Sequence, residues 1–363
     1  MKYTAIELGE QKMKVLYRLV DKTNYKTLGY RIELNGKEYN IRKEIIGSMV
    51  AEHGIENAVL VKDKYIRGKG GSIEVIYINT KDRKSEFKDY SKYKVIDNAA
   101  IGGVTQKIIV ESGDKTRYIL KFAMKKMGVV ENSHITEFVA CKIAKKLGYK
   151  VQEVDLGYYE DKECVAIKMF GAIPTTFEGL GESTLEGKEM EYSLDWLLGI
   201  KVNKKFKLSQ EQYIKWVWSV FVLDLFISNF DRHENNWGFI KDGGKYIPAP
   251  LFDLGASLYK KFVGEEVRNL TDRQIRHIIE FETRCAIIYK GKKRNYFEIV
   301  EGVKSNKLFR TYLNEVINRY KNIDLKGIYS KVSRFNSKYT EYIGFVDRML
   351  NIKADMLESR CLK

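Results

Sequence analysis

Asp231, Asn236 and Asp253 are side chains of the kinds that phosphoryl transfer uses. They stand in two short runs, Asp-Arg-His-Glu-Asn-Asn from Asp231 to Asn236 and Phe-Asp-Leu-Gly from Phe252 to Gly255. Strand-like runs at 237–240 and 246–252 lie between them, joined by Lys241-Asp242-Gly243-Gly244-Lys245, whose glycines suit a tight hairpin turn. A hairpin returns the chain and predicts that Asp253 comes back beside Asn236. Two oxygen ligands facing one point are what Mg²⁺ on nucleotide phosphates takes from a protein, phosphate oxygens and water completing the octahedron. Asp231 is then the group left to orient or deprotonate an attacking hydroxyl. Aspartate and asparagine are common in turns, so the Asp-x-x-x-x-Asn spacing alone says little. Its weight comes from the hairpin and the Asp-x-Gly that follow in order.

The elements before this segment must supply the nucleotide site. A strand at 93–96 leads to Ile101-Gly102-Gly103-Val104-Thr105-Gln106-Lys107, followed by strands at 107–111 and 117–122 with a turn at Ser112-Gly113-Asp114. Glycines at such a turn let backbone amides approach phosphate oxygens closely, and a plain hairpin is the competing reading. Lys121 alternates with Ile119 on the second strand, facing a cleft or solvent. Ser133 is placed to cap a helix running to Leu147, with Ile135, Phe138, Val139, Ile143 and Leu147 on one face and Gly148 as its stop. Glu137 is expected in the first turn, either as a charge favoured by the helix dipole or as the partner that holds Lys121. Strands at 153–159 and 164–170 complete five strands and one helix. Beyond a glycine-containing stretch the chain is mostly helical, with capping boxes at Ser209-x-x-Gln212 and Thr271-x-x-Gln274.

The first eighty or so residues read as a separate small α+β module, with a hairpin about Asn35-Gly36, a helix over 42–52 and strands at 58–61 and 72–78. The charged stretch 81–92 reads as a linker. Residues 93–172 then form a β-rich lobe and 173–363 a helical one. The chain has 363 residues, 44% of them hydrophobic, enough for two or three compact units with real cores. Its four cysteines and four histidines are scattered, which suggests neither a zinc site nor a disulfide framework and fits a reducing cytoplasm. The N-terminus lacks the pattern of a signal peptide, and the apolar stretch 216–230 is too short to span a bilayer and contains Asp224. The net charge of +16 admits nucleic acid as a partner. The lysines are spread along the chain, which favours a plain solvated surface.

With these residues in place, the chain from about residue 93 onward resembles the HipA group of protein-kinase-like folds, which includes CtkA-type bacterial serine/threonine kinases. The resemblance rests on Gly102 to Lys107 as phosphate loop, Tyr118-Ile119-Leu120-Lys121-Phe122 as lysine strand, Ser133 to Gly148 as glutamate-bearing helix, and the Asp-Arg-His-x-x-Asn and Asp-x-Gly runs. It implies an α+β, two-lobed fold: a small antiparallel β-rich N-lobe with one helix and a larger helical C-lobe, preceded here by the small module. It further implies ATP and Mg²⁺ as cofactors and Asp231 as catalytic base. Asn236 and Asp253 would bind magnesium. Lys121 and the loop residues Gly102, Gly103, Val104, Thr105, Gln106 and Lys107 would meet the phosphates, Glu137 would anchor Lys121, and the backbone near Met169 would meet the adenine. Ala99 and Ala100 stand where the family often has a phosphorylatable serine. The first module does not match the family's usual N-terminal extension, so the resemblance extends to neither an antitoxin-like partner nor DNA.

The expected reaction is transfer to serine or threonine of a protein. A lipid or aminoglycoside acceptor shares the same phosphate chemistry, because phosphoinositide kinases and aminoglycoside phosphotransferases carry similar motifs. A non-catalytic nucleic-acid binder or nucleotide-binding pseudokinase is the reading of another class. The joint presence of Lys121, Asp231, Asn236 and Asp253 argues against it.

Overall fold

The computed structural model describes residues 86–97, 107–126, 129–160, 162–171, 174–177, 192–260, 267, 269–282 and 284–362, together with strand backbone at 13–21, 27–34, 37–42, 59–68 and 71–79. The chain forms two compact units, Met1–Asp89 with Tyr329–Thr340, and Tyr90–Ile328 with Glu341–Lys363. In the first, β1 (Met13–Asp21), β2 (Thr27–Leu34), β3 (Lys37–Arg42), β4 (Val59–Gly68) and β5 (Gly71–Asn79) form one sheet in the order β3-β2-β1-β5-β4. Leu34 pairs with Lys37 across the expected Asn35-Gly36 hairpin. Of the helix expected over 42–52, Arg42 closes strand β3 and residues 43–52 lie outside the described residues.

In the second unit, β6 (Lys94–Asp97), β7 (Lys107–Glu111), β8 (Arg117–Phe122), β11 (Val154–Tyr159) and β12 (Lys162–Lys168) pair antiparallel in the order β11-β12-β8-β7-β6. A short hairpin, β9 (Met124–Lys126) and β10 (Val129–Glu131), leads into helix α1 (Ser133–Lys146). Side chains alternate across each strand, and the apolar set on one face, with Val110, Leu120, Phe122, Cys164 and Ala166, packs on Tyr90. The other face carries Lys121, directly opposite Lys107 in the β7–β8 register. Facing partners in an antiparallel pair project to the same side, so both cations share the face on which α1 lies.

The rest of this unit is mainly helical, with β13 (Thr175–Thr176), α2 (Leu194–Gly199), α3 (Gln210–Ile227), β14 (Gly238–Asp242), β15 (Lys245–Pro248), α4 (Asp272–His277), α5 (Tyr296–Val303), α6 (Lys307–Asn322) and α7 (Thr340–Cys361). The capping boxes predicted at Ser209/Gln212 and Thr271/Gln274 are both formed. Helix α3 is apolar on nearly every side from Val217 to Ile227 and is buried accordingly, ending at Ser228 with φ of 55°. The β14–β15 hairpin turns through Gly243 and Gly244, whose φ angles of 57° and 79° are those glycine adopts without strain. Its second strand stops at Pro248 rather than running to Phe252. Pro250 has no N–H to donate to the ladder, and Leu251 bridges in parallel to Val151 instead. Phe177, Trp216, Trp237 and Phe239 pack beneath this hairpin, with ring centroids 4.8 Å apart for Phe177–Trp237 and 5.0 Å for Trp216–Trp237.

Candidate active site

Lys121 is the point at which three elements meet. Its Nζ lies 2.9 Å from Glu137 Oε2 on α1 and 2.7 Å from Asp253 Oδ1 in the segment after β15. Leu254 N–H donates to the other oxygen of Glu137 at 2.8 Å, so one carboxylate holds both the lysine and the backbone next to Asp253. Gly255 makes this approach possible, because a Cβ there would stand 2.9 Å from Glu137 Oε2 and 3.2 Å from Ser133 O. The expected local geometry of α1 needs correcting. Asn132, not Ser133, is the N-cap residue, it makes no side-chain capping bond, and the first turn holds no acidic residue. The Ser133 hydroxyl is buried without a hydrogen-bond partner. Glu137 sits one residue beyond the first turn, and its fully buried side chain serves Lys121 rather than the helix end.

The Asp231–Asn236 loop is held from behind by a buried ion pair. Arg232 Nε donates to Asp224 Oδ2 of α3 at 2.8 Å, with both side chains almost wholly buried. Arg232 Nη1 donates to the carbonyls of Asn236 and of Phe252, the latter at 2.9 Å. One guanidinium nitrogen thus ties the beginning of the hairpin to its end, and so brings Asn236 and Asp253 into one neighbourhood. Asn229 donates to Asp224 at 2.9 Å and accepts from Asp231 N–H at 3.3 Å, while Tyr296 O–H donates to the Asn229 carbonyl. Asn236 Nδ2 donates to the Asp231 carbonyl at 2.7 Å, which leaves Oδ1 as the atom for a cation.

The carboxylates are driven apart electrostatically. Burial raises the Asp231 carboxyl, and the nearby Asp253 charge pushes the same way. Burial also works against ionisation of Asp253, but Lys121, with Lys107 and Arg232 behind it, holds that group down at about 2. Lys121 is kept protonated by Asp253 and Glu137 in spite of its burial. Burial and the facing Lys121 lower the pKa of Lys107. An ionised, 37% exposed Asp253 side chain and the Asn236 amide oxygen would offer Mg²⁺ two oxygen ligands, an all-oxygen chemistry that suits this ion, with water and phosphate in its remaining positions. Among the described residues there is no cluster of three His, Cys, Asp or Glu side chains that could hold a metal alone.

The structure therefore brings Lys121, Glu137 and Asp253 into direct contact, sets Lys107 beside them, and ties the loop of Asp231 and Asn236 to the same hairpin. Met169 lies just past β12, its N–H donating to Arg117 O at 2.9 Å. Gly102, Gly103, Val104, Thr105 and Gln106 lie outside the described residues. Several supporting residues escaped the sequence reading. Asp224 carried a usable signal, since a carboxylate in so apolar a helix needs a buried partner and Arg232 follows eight residues later. Gln152 carried none. It lies between Val151 and Glu153 in the link from α1 to β11, yet its N–H donates to Leu251 O at 2.9 Å and its side-chain amide to Glu137 Oε1.

The chain is similar to known kinases in sequence and in fold. Serine/threonine-protein kinase CtkA of Helicobacter pylori is 29% identical over 259 residues, which is 67% of this chain and 77% of that protein. The crystal structure of the Helicobacter pylori proinflammatory kinase CtkA matches with a TM-score of 0.63 at 26% identity, covering 76% of this chain and 98% of that one. The HipA-like C-terminal domain family matches residues 99–309, more than half of the sequence and all of the motifs above from Gly102 to Gly255. This chain belongs to the HipA-like C-terminal domain family and has its two-lobed, protein-kinase-like fold.

Proposed function

We propose that this protein is a kinase that uses ATP and Mg²⁺ to phosphorylate serine or threonine on a protein substrate in the cytoplasm. The observation that carries the reading is Lys121 Nζ bridging Glu137 at 2.9 Å and Asp253 at 2.7 Å, next to a loop that presents Asp231 and Asn236. The 29% identity to a serine/threonine-protein kinase supports the acceptor class. Residues 93–172 would act as the nucleotide-binding lobe and 173–363 as the catalytic lobe, with 81–92 linking them to the N-terminal module.

In this reading Lys121 and Lys107 supply positive charge to the nucleotide phosphates, and Glu137 keeps Lys121 from collapsing wholly onto Asp253. Asp253 and Asn236 would hold the magnesium ion, which when bound screens the phosphate charge. Asp231 accepts or orients the proton of the attacking hydroxyl, a role helped by a carboxyl that burial makes more basic than a solvated one. Phosphoryl transfer needs little more from a protein than such positioning and charge.

The test is incubation with γ-labelled ATP and Mg²⁺ against separate panels of proteins, phosphoinositides and aminoglycosides. Label in phosphoserine or phosphothreonine is expected. Label confined to lipid or aminoglycoside would replace the protein acceptor, and no transfer to any panel would overturn the kinase reading.

A further inference from the structure

Helix α1 is fastened to the helical lobe at both ends. At its start, Asn132 N–H donates to Lys260 O at 3.1 Å, Lys260 Nζ lies 3.0 Å from Glu131 Oε2, and Thr136 Oγ1 meets the Tyr342 hydroxyl at 2.9 Å. Just past its end, Tyr149 O–H donates to Ser219 O of α3 at 2.9 Å and the 150–152 segment bonds Leu251, while the last turn of the helix itself is held by a side chain from α6: Arg319 Nη1 donates to the Leu147 carbonyl at 2.6 Å. The next residue explains why the sequence has glycine there twice over. Gly148 has φ of 91°, and a Cβ on it would lie 2.2 Å from Arg319 Nη1. The helix stop has thus been cleared to seat a guanidinium from another lobe, where the cation also meets the negative end of the helix dipole.

Resting on the kinase reading above, we propose that Arg319 is a positioning residue for the reaction, acting as a latch that holds α1 where Glu137 reaches Lys121 and the Leu254 amide. Glu137 lies ten residues before Leu147, about 15 Å along a helix. A rigid rod of that length carries a shift at its latched end to the carboxylate. The contacts at stake are the 2.9 Å one to Lys121 and the 2.8 Å one to Leu254, and displacements of about 1 Å at such contacts can cost up to about 10²-fold in rate. Arg319 is not a core packing residue. Its side chain is 51% exposed and borders a cavity of about 530 Å³ shared with Tyr149, Trp216, Pro248 and Tyr312, so a shorter uncharged side chain fits there without a clash.

The experiment compares wild type, Arg319→Met and Arg319→Lys by brief amine-reactive labelling read residue by residue in a mass spectrometer, alongside kcat for the labelled-ATP reaction. In wild type Lys121 is buried and ion-paired and should be protected, as should Lys353, which is buried elsewhere in the same unit. Arg319→Met should raise Lys121 labelling several-fold, leave Lys353 protected, and lower kcat by about ten-fold, inside the misplacement range. Arg319→Lys, which keeps a cation and a donor, should recover most of both. Unchanged Lys121 labelling in Arg319→Met would overturn the latch, as would a parallel rise at Lys353, which reports general loosening. If wild type transfers no phosphate, the labelling still decides the latch, and it is the kinase reading that falls.

Discussion

Asp231 and Asp253 have the same side chain and are pushed in opposite directions by their surroundings. Burial and a neighbouring charge raise the first, while Lys121 holds the second at about 2. On the kinase reading proposed above, a pair separated in this way suits a proton acceptor and an ionised cation ligand. Asp231→Asn removes the acceptor and keeps the shape, so ATP binding should persist while turnover falls by about 10² to 10⁴, the usual contribution of a general base. Asp253→Ala should instead abolish the Mg²⁺ dependence of nucleotide binding, measured by titration with and without the metal. The sign of the pH effect follows from the direction of the first shift. With Asp231 as the proposed base, activity should be present where Asp231 is ionised and be lost as pH falls through its raised pKa, so the acid limb of kcat/KM, which reports the free enzyme, should lie above the range of a solvated aspartate. A limb at or below that range would remove Asp231 from the role.

At the scale of elements, the sequence was most readable where a structure is specified within four residues. Ser209 and Gln212 form a reciprocal cap, and so do Thr271 and Gln274. Ser133 misled because a serine before an apolar helix is a capping signal only if the chain enters extended. Here Asn132, the residue at the cap position, has φ of −80° and ψ of 28°, which is not extended, and the Ser133 hydroxyl is left buried and unbonded. The two serines therefore respond differently to alanine. Ser209→Ala should cost about 0.5–2 kcal/mol, the range for a lost N-cap, whereas Ser133→Ala removes an unsatisfied buried polar group and should be neutral or stabilising. Urea denaturation of both variants checks the contrast, and equal losses would contradict it. The far end of β15 also departs from the sequence expectation, ending at Pro248. The apolar run continues to Phe252, but its hydrogen bonds pass from β14 to the 150–152 segment, a change of partner that no local pattern encodes.

At the scale of the molecule, the two-lobed architecture and the family were legible because Asp-Arg-His-x-x-Asn, a hairpin and Asp-x-Gly occur in sequence order and dictate which elements must surround them. Long-range charge burial was not legible, since a lysine in a helical sequence reads as solvent-facing. Lys353 on α7 is the clearest case. It is fully buried, its Nζ bonds the Ser228 hydroxyl at 2.5 Å and lies 5.9 Å from the Tyr296 ring centre, and among the described residues no carboxylate pairs with it. Burial pushes its pKa down from 10.5 to about 7. Between these values the unfolded chain holds a proton that the folded one does not, so stability rises with pH across that window and the whole penalty is present below about 7. Lys353→Met deletes the titration and keeps the volume. Its melting temperature relative to wild type should therefore be most favourable near pH 7 and should become less favourable steadily toward pH 10. The constant cost of orphaning the Ser228 hydroxyl cancels from that trend. A difference between the two proteins that does not move with pH would mean that Lys353 stays charged in the fold, stabilised by the ring and the hydroxyl alone.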